Sequence, residues 1–169
     1  MIKVTDDWLE NYYFRELKEA VMDTNFSWYL NRDVSGKGDS HYQFIHQVYN
    51  NHECLSWDMN EKLAPLYRKL NAFQLVRVKF NLLPKSTEII EHGMHRDGVY
   101  ACEGLKIAVL YFDTNNGYTK FSGEQERKVF SQENRVVVFS NEMQHTGSTH
   151  TEGGPFRVVL NVNYFPKKK

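Results

Sequence analysis

His95 and Asp97 stand two positions apart in the stretch Glu91-His92-Gly93-Met94-His95-Arg96-Asp97-Gly98. Side chains on an extended strand alternate between faces, so an imidazole and a carboxylate at that spacing point the same way. They supply two ligands for a divalent metal and need a third. His145, in Gln144-His145-Thr146-Gly147, is the preferred candidate, because it closely follows the strand-like run 135–140 and precedes a glycine-rich return. His92 and His150 compete for that place. His150 leaves only seven positions before Arg157, and His92 reads as a loop histidine or a group just outside the ligand sphere. Two imidazoles and one carboxylate on one side of an octahedral ion leave the opposite positions open, an arrangement suited to non-haem iron(II).

The elements that must position these residues lie mostly after Asn71. Short β-type runs, separated by turn chemistry, are expected at 75–83, 89–95, 105–113, 118–121, 128–131, 135–140 and 156–165, with Asn115-Asn116-Gly117 as a hairpin turn that accepts positive φ. Before them, Thr5-Asp6-Asp7 offers cap-type side chains to an amphipathic helix of about four to five turns, with Leu9, Tyr13, Leu17 and Val21 at four-residue spacing. A second helix is expected after Asp58-Met59-Asn60, with Leu63, Leu66, Leu70 and Phe73 as its apolar stripe and Pro65 confined to its first turn. Residues 26–30 read as a short strand, 35–39 as a glycine-containing loop, and 41–53 as ambiguous between strand and helix. His41, His46 and His52 fit no single face there, which argues against a second metal site. Helices followed by some seven strands give an α+β, mainly β chain: a jelly-roll core over 75–165 with N-terminal flanking helices in 1–74 and a basic tail at 166–169, in one domain.

Alternation also sorts the strand faces. Arg157, Val159, Asn161 and Asn163 share one face of the last strand, opposite Val158, Leu160, Val162 and Tyr164. Arg77, Lys79 and Asn81 form another polar row, and Tyr111 shares a face with Val109 and Ile107. A charged arginine in a central strand is costly to bury unless an anion meets it, so the interior reads as built around a polar ligand. Asn81, Asn161 and Asn163 are candidates for orienting that ligand, or else buried amides bonded to backbone.

Composition narrows the classes further. Lys+Arg 21 against Asp+Glu 21 leaves no bulk charge that calls for nucleic acid or an anionic membrane, and the Lys167-Lys168-Lys169 tail reads as a solvated terminus. Cys54 and Cys102 form neither a disulfide framework nor a thiolate zinc site, and no apolar stretch approaches the roughly 20 residues of a membrane span. A cytoplasmic protein is expected.

A His-x-Asp triplet alone is a weak signal. The order of the parts strengthens it: strand, His95-Arg96-Asp97, strand with Tyr111, Asn-Asn-Gly turn, His145, then Arg157 twelve positions on. This order resembles the iron(II) and 2-oxoglutarate-dependent oxygenase superfamily, in particular its prolyl-4-hydroxylase-like branch. The likeness covers residues 75–165, where Leu110-Tyr111-Phe112-Asp113 and Asn116-Gly117-Tyr118-Thr119-Lys120-Phe121 are similar to the family's strand, turn and Gly-x-Thr-x-Phe region. It implies a double-stranded β-helix, iron(II) held by His95, Asp97 and His145, and 2-oxoglutarate as cosubstrate with its far carboxylate on Arg157 and Tyr111. It also implies oxygen as co-reactant, ascorbate as an accessory reductant, and a peptide, protein or small-molecule substrate. A guanidinium suits that dianion because its planar fork grips a carboxylate at two points. The residues themselves leave open a zinc or manganese hydrolase or isomerase on a cupin-like barrel, and a non-catalytic jelly-roll binding module.

Overall fold

Period-two alternation in the last strand separates the layers of the molecule. We describe a computed structural model over residues 1–35, 41–97, 103–123 and 127–168; residues 36–39 of the glycine-containing loop, Gly98, Cys102 and Lys169 lie outside it. The elements in chain order are β1 Lys3–Thr5, α1 Asn11–Met22, β2 Tyr29–Asn31, β3 Gln43–Asn50, β4 Glu53–Cys54, α2 Trp57–Lys62, α3 Ala64–Lys69, β5 Ala72–Pro84, β6 Lys106–Tyr111, β7 Tyr118–Phe121, β8 Arg127–Phe130, β9 Val136–Ser140, β10 His145–Gly147 and β11 Phe156–Pro166. A large antiparallel sheet runs β1-β9-β6-β11-β5-β3-β2, with β4 on β3, and a small sheet runs β10-β7-β8. This is the expected mainly-β jelly-roll core with flanking helices.

The central pair of strands carries both layers. Val158, Leu160, Val162 and Tyr164 of β11 join Val78, Phe80 and Leu82 of β5 in one apolar core with Phe14, Leu17 and Val21 of α1, Leu63, and Leu66 of α3. Each such burial contributes about 1.5–3 kcal/mol, so removing a few of these side chains would remove an amount comparable with the roughly 5–15 kcal/mol net stability of a domain. The opposite faces look into the space between the sheets. There Ile107, Val109, Val137 and Phe139 meet Phe121 and Val129 of the small sheet. The polar rows of β5 and β11 fall on this same inner side and form the wall of a cavity.

Several local expectations change. Thr5 lies in β1, paired with Val136 of β9, and Asp6 makes a two-point ion pair with Arg135 (2.5 and 3.0 Å), so helix α1 begins later and has 12 residues. The second helix is two, α2 and α3, meeting at Leu63. Pro65 stands in the first turn of α3 and has no N–H with which to extend α2. The ambiguous stretch is strand β3, paired with both β2 and β5. Residues 89–95 form no strand; their β-type pairing is limited to isolated bridges, Glu91 to Ser148 and His95 to His145. The Glu91 carboxylate anchors this segment by accepting hydrogen bonds from Tyr118 and Lys120.

Asn115-Asn116-Gly117 is not a hairpin turn. Strands β6 and β7 belong to different sheets, and none of the three residues has positive φ. The Asn115 side chain accepts the Gly117 N–H at 2.8 Å, while Asn116 accepts the N–H groups of Thr151 and Glu152, so the segment is a side-chain-stapled crossing between sheets.

Candidate active site

His95 and His145 face each other across a one-residue antiparallel bridge, with reciprocal backbone hydrogen bonds of 3.0 and 2.9 Å. That register puts their rings side by side, 4.8 Å between centroids. Asp97 follows two residues after His95, and one potential ligand atom from each of the three side chains lies within 4.8 Å of the others. His92 and His150 are not in this cluster: His92 lines the cavity nearby, and the fully buried His150 has Nε2 3.0 Å from the carbonyl of Gly154.

The donor set fits a divalent cation. His95 Nδ1 is 3.0 Å from the Gly93 carbonyl and His145 Nδ1 is 3.3 Å from that of Met143. A carbonyl can only accept, so each Nδ1 carries the proton and each Nε2 keeps its lone pair for a metal. Burial lowers the pKa of His145 and favours the neutral imidazole that a metal requires. For Asp97, burial acts upward, but Arg77, then His145 and the Asn161 amide, outweigh it and hold the carboxyl well below the ordinary range. Arg77 Nη2 is 2.8 Å from Oδ1, Asn161 donates to Oδ2 at 2.8 Å, and Asn141 donates to the Asp97 carbonyl at 2.7 Å. The carboxylate is thus ionised and fixed in orientation.

Arg157 enters the same cavity from the start of β11 and is 3% exposed. Its Nε donates to Ser131 Oγ at 2.8 Å, its guanidinium carbon is 5.6 Å from the centre of the Tyr111 ring, and no carboxylate among the described residues is within ion-pair distance. Burial lowers its pKa, with Tyr111 and then Asp113 acting the other way, but a guanidinium stays charged. Gly117 makes room for it: a Cβ there would lie 2.6 Å from Arg157 Cδ. This close approach, rather than a turn, explains the glycine.

Tyr111 lies behind the cavity wall. It is fully buried, its phenol donates to Thr119 Oγ1 at 2.7 Å, and Thr119 rather than Tyr111 lines the cavity. Tyr111 thus packs beneath Thr119 and against the Arg157 guanidinium. Asn81 does line the cavity, between Lys79 and Leu83 on the inner face of β5. Sequence reading missed Thr119, Ser131 and the packing role of Gly117; Thr119 had a signal, as the threonine of the Gly-x-Thr-x-Phe run. Lys79 lines the cavity too, and burial, then Arg77, lowers its pKa to about 8, so it is cationic at neutral pH.

No family model matches the sequence, and no curated protein matches it. Solved structures do. An oxidoreductase of the 2OG-Fe(II) oxygenase family from Burkholderia pseudomallei superposes with a TM-score of 0.74 at 13% identity, covering 97% of this chain and 84% of that one. A prolyl-4-hydroxylase from Pseudomonas putida gives 0.64 at 16% identity over 99% and 93% of the two chains. A prolyl hydroxylase from Trichoplax adhaerens, solved with a hypoxia-inducible-factor peptide, gives 0.65 at 12% identity over 97% and 83%. At these identities the likeness is one of fold: the chain is built on the double-stranded β-helix of the 2OG-Fe(II) oxygenases, prolyl hydroxylases among them.

Proposed function

We propose that the chain is an iron(II)- and 2-oxoglutarate-dependent dioxygenase, a hydroxylase with His95, Asp97 and His145 as metal ligands and Arg157 as the anchor for the far carboxylate of the cosubstrate. One observation carries this reading: the three metal donors and a buried arginine without a carboxylate partner among the described residues line a single cavity of about 270 Å³. Iron(II) in that position would supply the redox chemistry that couples oxidative decarboxylation of 2-oxoglutarate, giving succinate, to hydroxylation of a substrate C–H bond.

The chain's own residues bind and orient. Asn161 and Arg77 fix the Asp97 carboxylate, the Gly93 and Met143 carbonyls fix the two imidazole tautomers, and Ser131 and Tyr111 aim the Arg157 fork along the cavity. Thr119, with its oxygen already accepting the Tyr111 proton, keeps its own hydrogen free to donate to the same carboxylate. The apolar walls Leu83, Val109 and Val159 exclude water around the anion and strengthen its pairing with Arg157. Val34, Ser35 and His92 line the cavity from two loops, and Ser35 Oγ accepts the Gly93 N–H at 2.9 Å, so these joined loops are where a peptidyl or small-molecule substrate is selected.

Anaerobic titration with iron(II) and then 2-oxoglutarate tests the reading. The expected result is a weak visible charge-transfer band that requires both additions and is absent in Arg157→Ala. A folded, iron-loaded wild-type protein that shows no band contradicts it. Metal-dependent turnover that survives Arg157→Ala would instead point to hydrolase or isomerase chemistry at the same triad.

A further inference from the structure

Lys79 projects from the inner face of β5 beside Asn161 of β11, the residue whose amide holds Asp97. Its side chain lines the cavity, and no described residue pairs with its ammonium by ion pair or hydrogen bond. Arg77, the next inward residue on β5, is committed to Asp97 through Nη2, and its Nε is buried without a partner. Asp97 is the only carboxylate among the described residues lining the cavity, against Arg77, Lys79, Arg96 and Arg157. Of these Arg157 is buried, Arg77 and Lys79 are half-buried and Arg96 is exposed; a charge that loses part of its hydration is commonly paired.

The proposed function leaves this excess in place. A divalent ion adds two positive charges, and 2-oxoglutarate, anchored at Arg157, removes two. The cations at Lys79 and Arg157 are also rooted far apart, since Lys79 is level with Asn161, four residues along β11 from Arg157, or about 13 Å of strand. We infer that the substrate presents a carboxylate and that Lys79 binds it, which makes Lys79 a substrate-specificity residue. The inference rests on the oxygenase reading. With a cavity of about 270 Å³ shared between cosubstrate and substrate, the acid is a small one or a single acidic side chain. Such sites usually span about 300–1,000 Å³.

Calorimetric titration of the full chain loaded with manganese(II) tests it in two stages. N-oxalylglycine, an inert oxoglutarate analogue, is added first; acetate, phenylacetate and N-acetylaspartamide follow, with acetamide and phenylacetamide as uncharged matches. We expect the acids to bind about tenfold or more tighter than their amides, an advantage lost in Lys79→Met and Lys79→Gln while the affinity for N-oxalylglycine changes by less than about threefold. The two substitutions keep most of the side-chain volume, and circular dichroism of each variant checks folding before titration. Preference for N-acetylaspartamide over the free acids identifies a peptide-borne carboxylate, and the reverse a small acid. Acids and amides binding alike, no acid binding, or Lys79→Met losing N-oxalylglycine as Arg157→Ala does would each overturn the inference. Wild-type protein that binds no N-oxalylglycine would instead overturn the oxygenase reading on which it rests.

Discussion

The two ends of the inner face that β5 and β11 share treat an inward-facing arginine in opposite ways. Near Asn161, Arg77 is neutralised by Asp97 at 2.8 Å. At the other end, Arg157 is more deeply buried, yet it is held by a serine hydroxyl, a tyrosine ring and the clearance over Gly117 rather than by a carboxylate. Asp113, the nearest acid in electrostatic effect, is turned to other work: Oδ2 accepts the Val158 N–H at 2.9 Å and Oδ1 the Asn115 amide at 2.5 Å. One guanidinium is therefore part of the metal-site scaffold, and the other is positioned in advance for an anion that arrives from outside. The partner, more than the depth of burial, sets their roles apart.

The largest expected effect separates the two arginines directly. Arg157→Ala should weaken 2-oxoglutarate binding by roughly 30- to 1,000-fold, the range for removing one side of a buried charge pair, whereas Arg77→Met should change it by less than about tenfold. Calorimetry on the manganese-loaded variants reads both values, and equal losses would erase the distinction. Next in size is Gly117→Ala, whose new methyl must displace Arg157 or the chain crossing. A cost of about 1–3 kcal/mol in denaturant stability is expected, together with weaker cosubstrate binding, because the guanidinium can no longer rest on Ser131.

A pH effect should appear at Asp113. Burial pushes its carboxyl up from 3.8 to about 6, with the Val158 N–H and Arg157 acting downward. Between those values the folded chain holds a proton that the unfolded chain has released, so this group's contribution to stability is complete below about 3.8 and is lost as pH rises through about 6. Asp113→Asn, fixed in the neutral form, should gain on wild type over that window by up to about 3 kcal/mol and level off above it. Stability measured by denaturant midpoint from acid to neutral pH checks the sign. The smallest effect is Tyr111→Phe, which removes the hydrogen bond to Thr119 and should cost about 0.5–1.5 kcal/mol, with metal binding unchanged by calorimetry.

The layers of the fold were readable in the chain because β5, β6 and β11 alternate strictly: a residue's parity told whether it faced the helices or the cavity. The cluster of His95, Asp97 and His145 was readable for the same reason, helped by the two-residue spacing of the first pair. The route by which they meet was not. Residues 89–95 read as a strand from their apolar content, but they make only isolated bridges and are tied down through Glu91, a tertiary contact that leaves no periodic trace. Asn115-Asn116-Gly117 misled because its residue types fit a hairpin turn, while the actual requirement on Gly117 is space for Arg157, a partner forty positions away. Pro65 was correctly confined to a first turn. That turn begins a new helix because Leu63 ends the previous one. Thr119 lies in a strand of four residues, too short to show alternation, and Ser131 stands just past the end of another.

A crystal structure of the full chain with manganese(II) and N-oxalylglycine tests the central claim most directly. The account predicts one ion bound by Nε2 of His95, a carboxylate oxygen of Asp97 and Nε2 of His145, with the analogue chelating that ion and its far carboxylate gripped by the Arg157 guanidinium. An ion held by a different set of side chains, or an analogue bound away from Arg157, would contradict it.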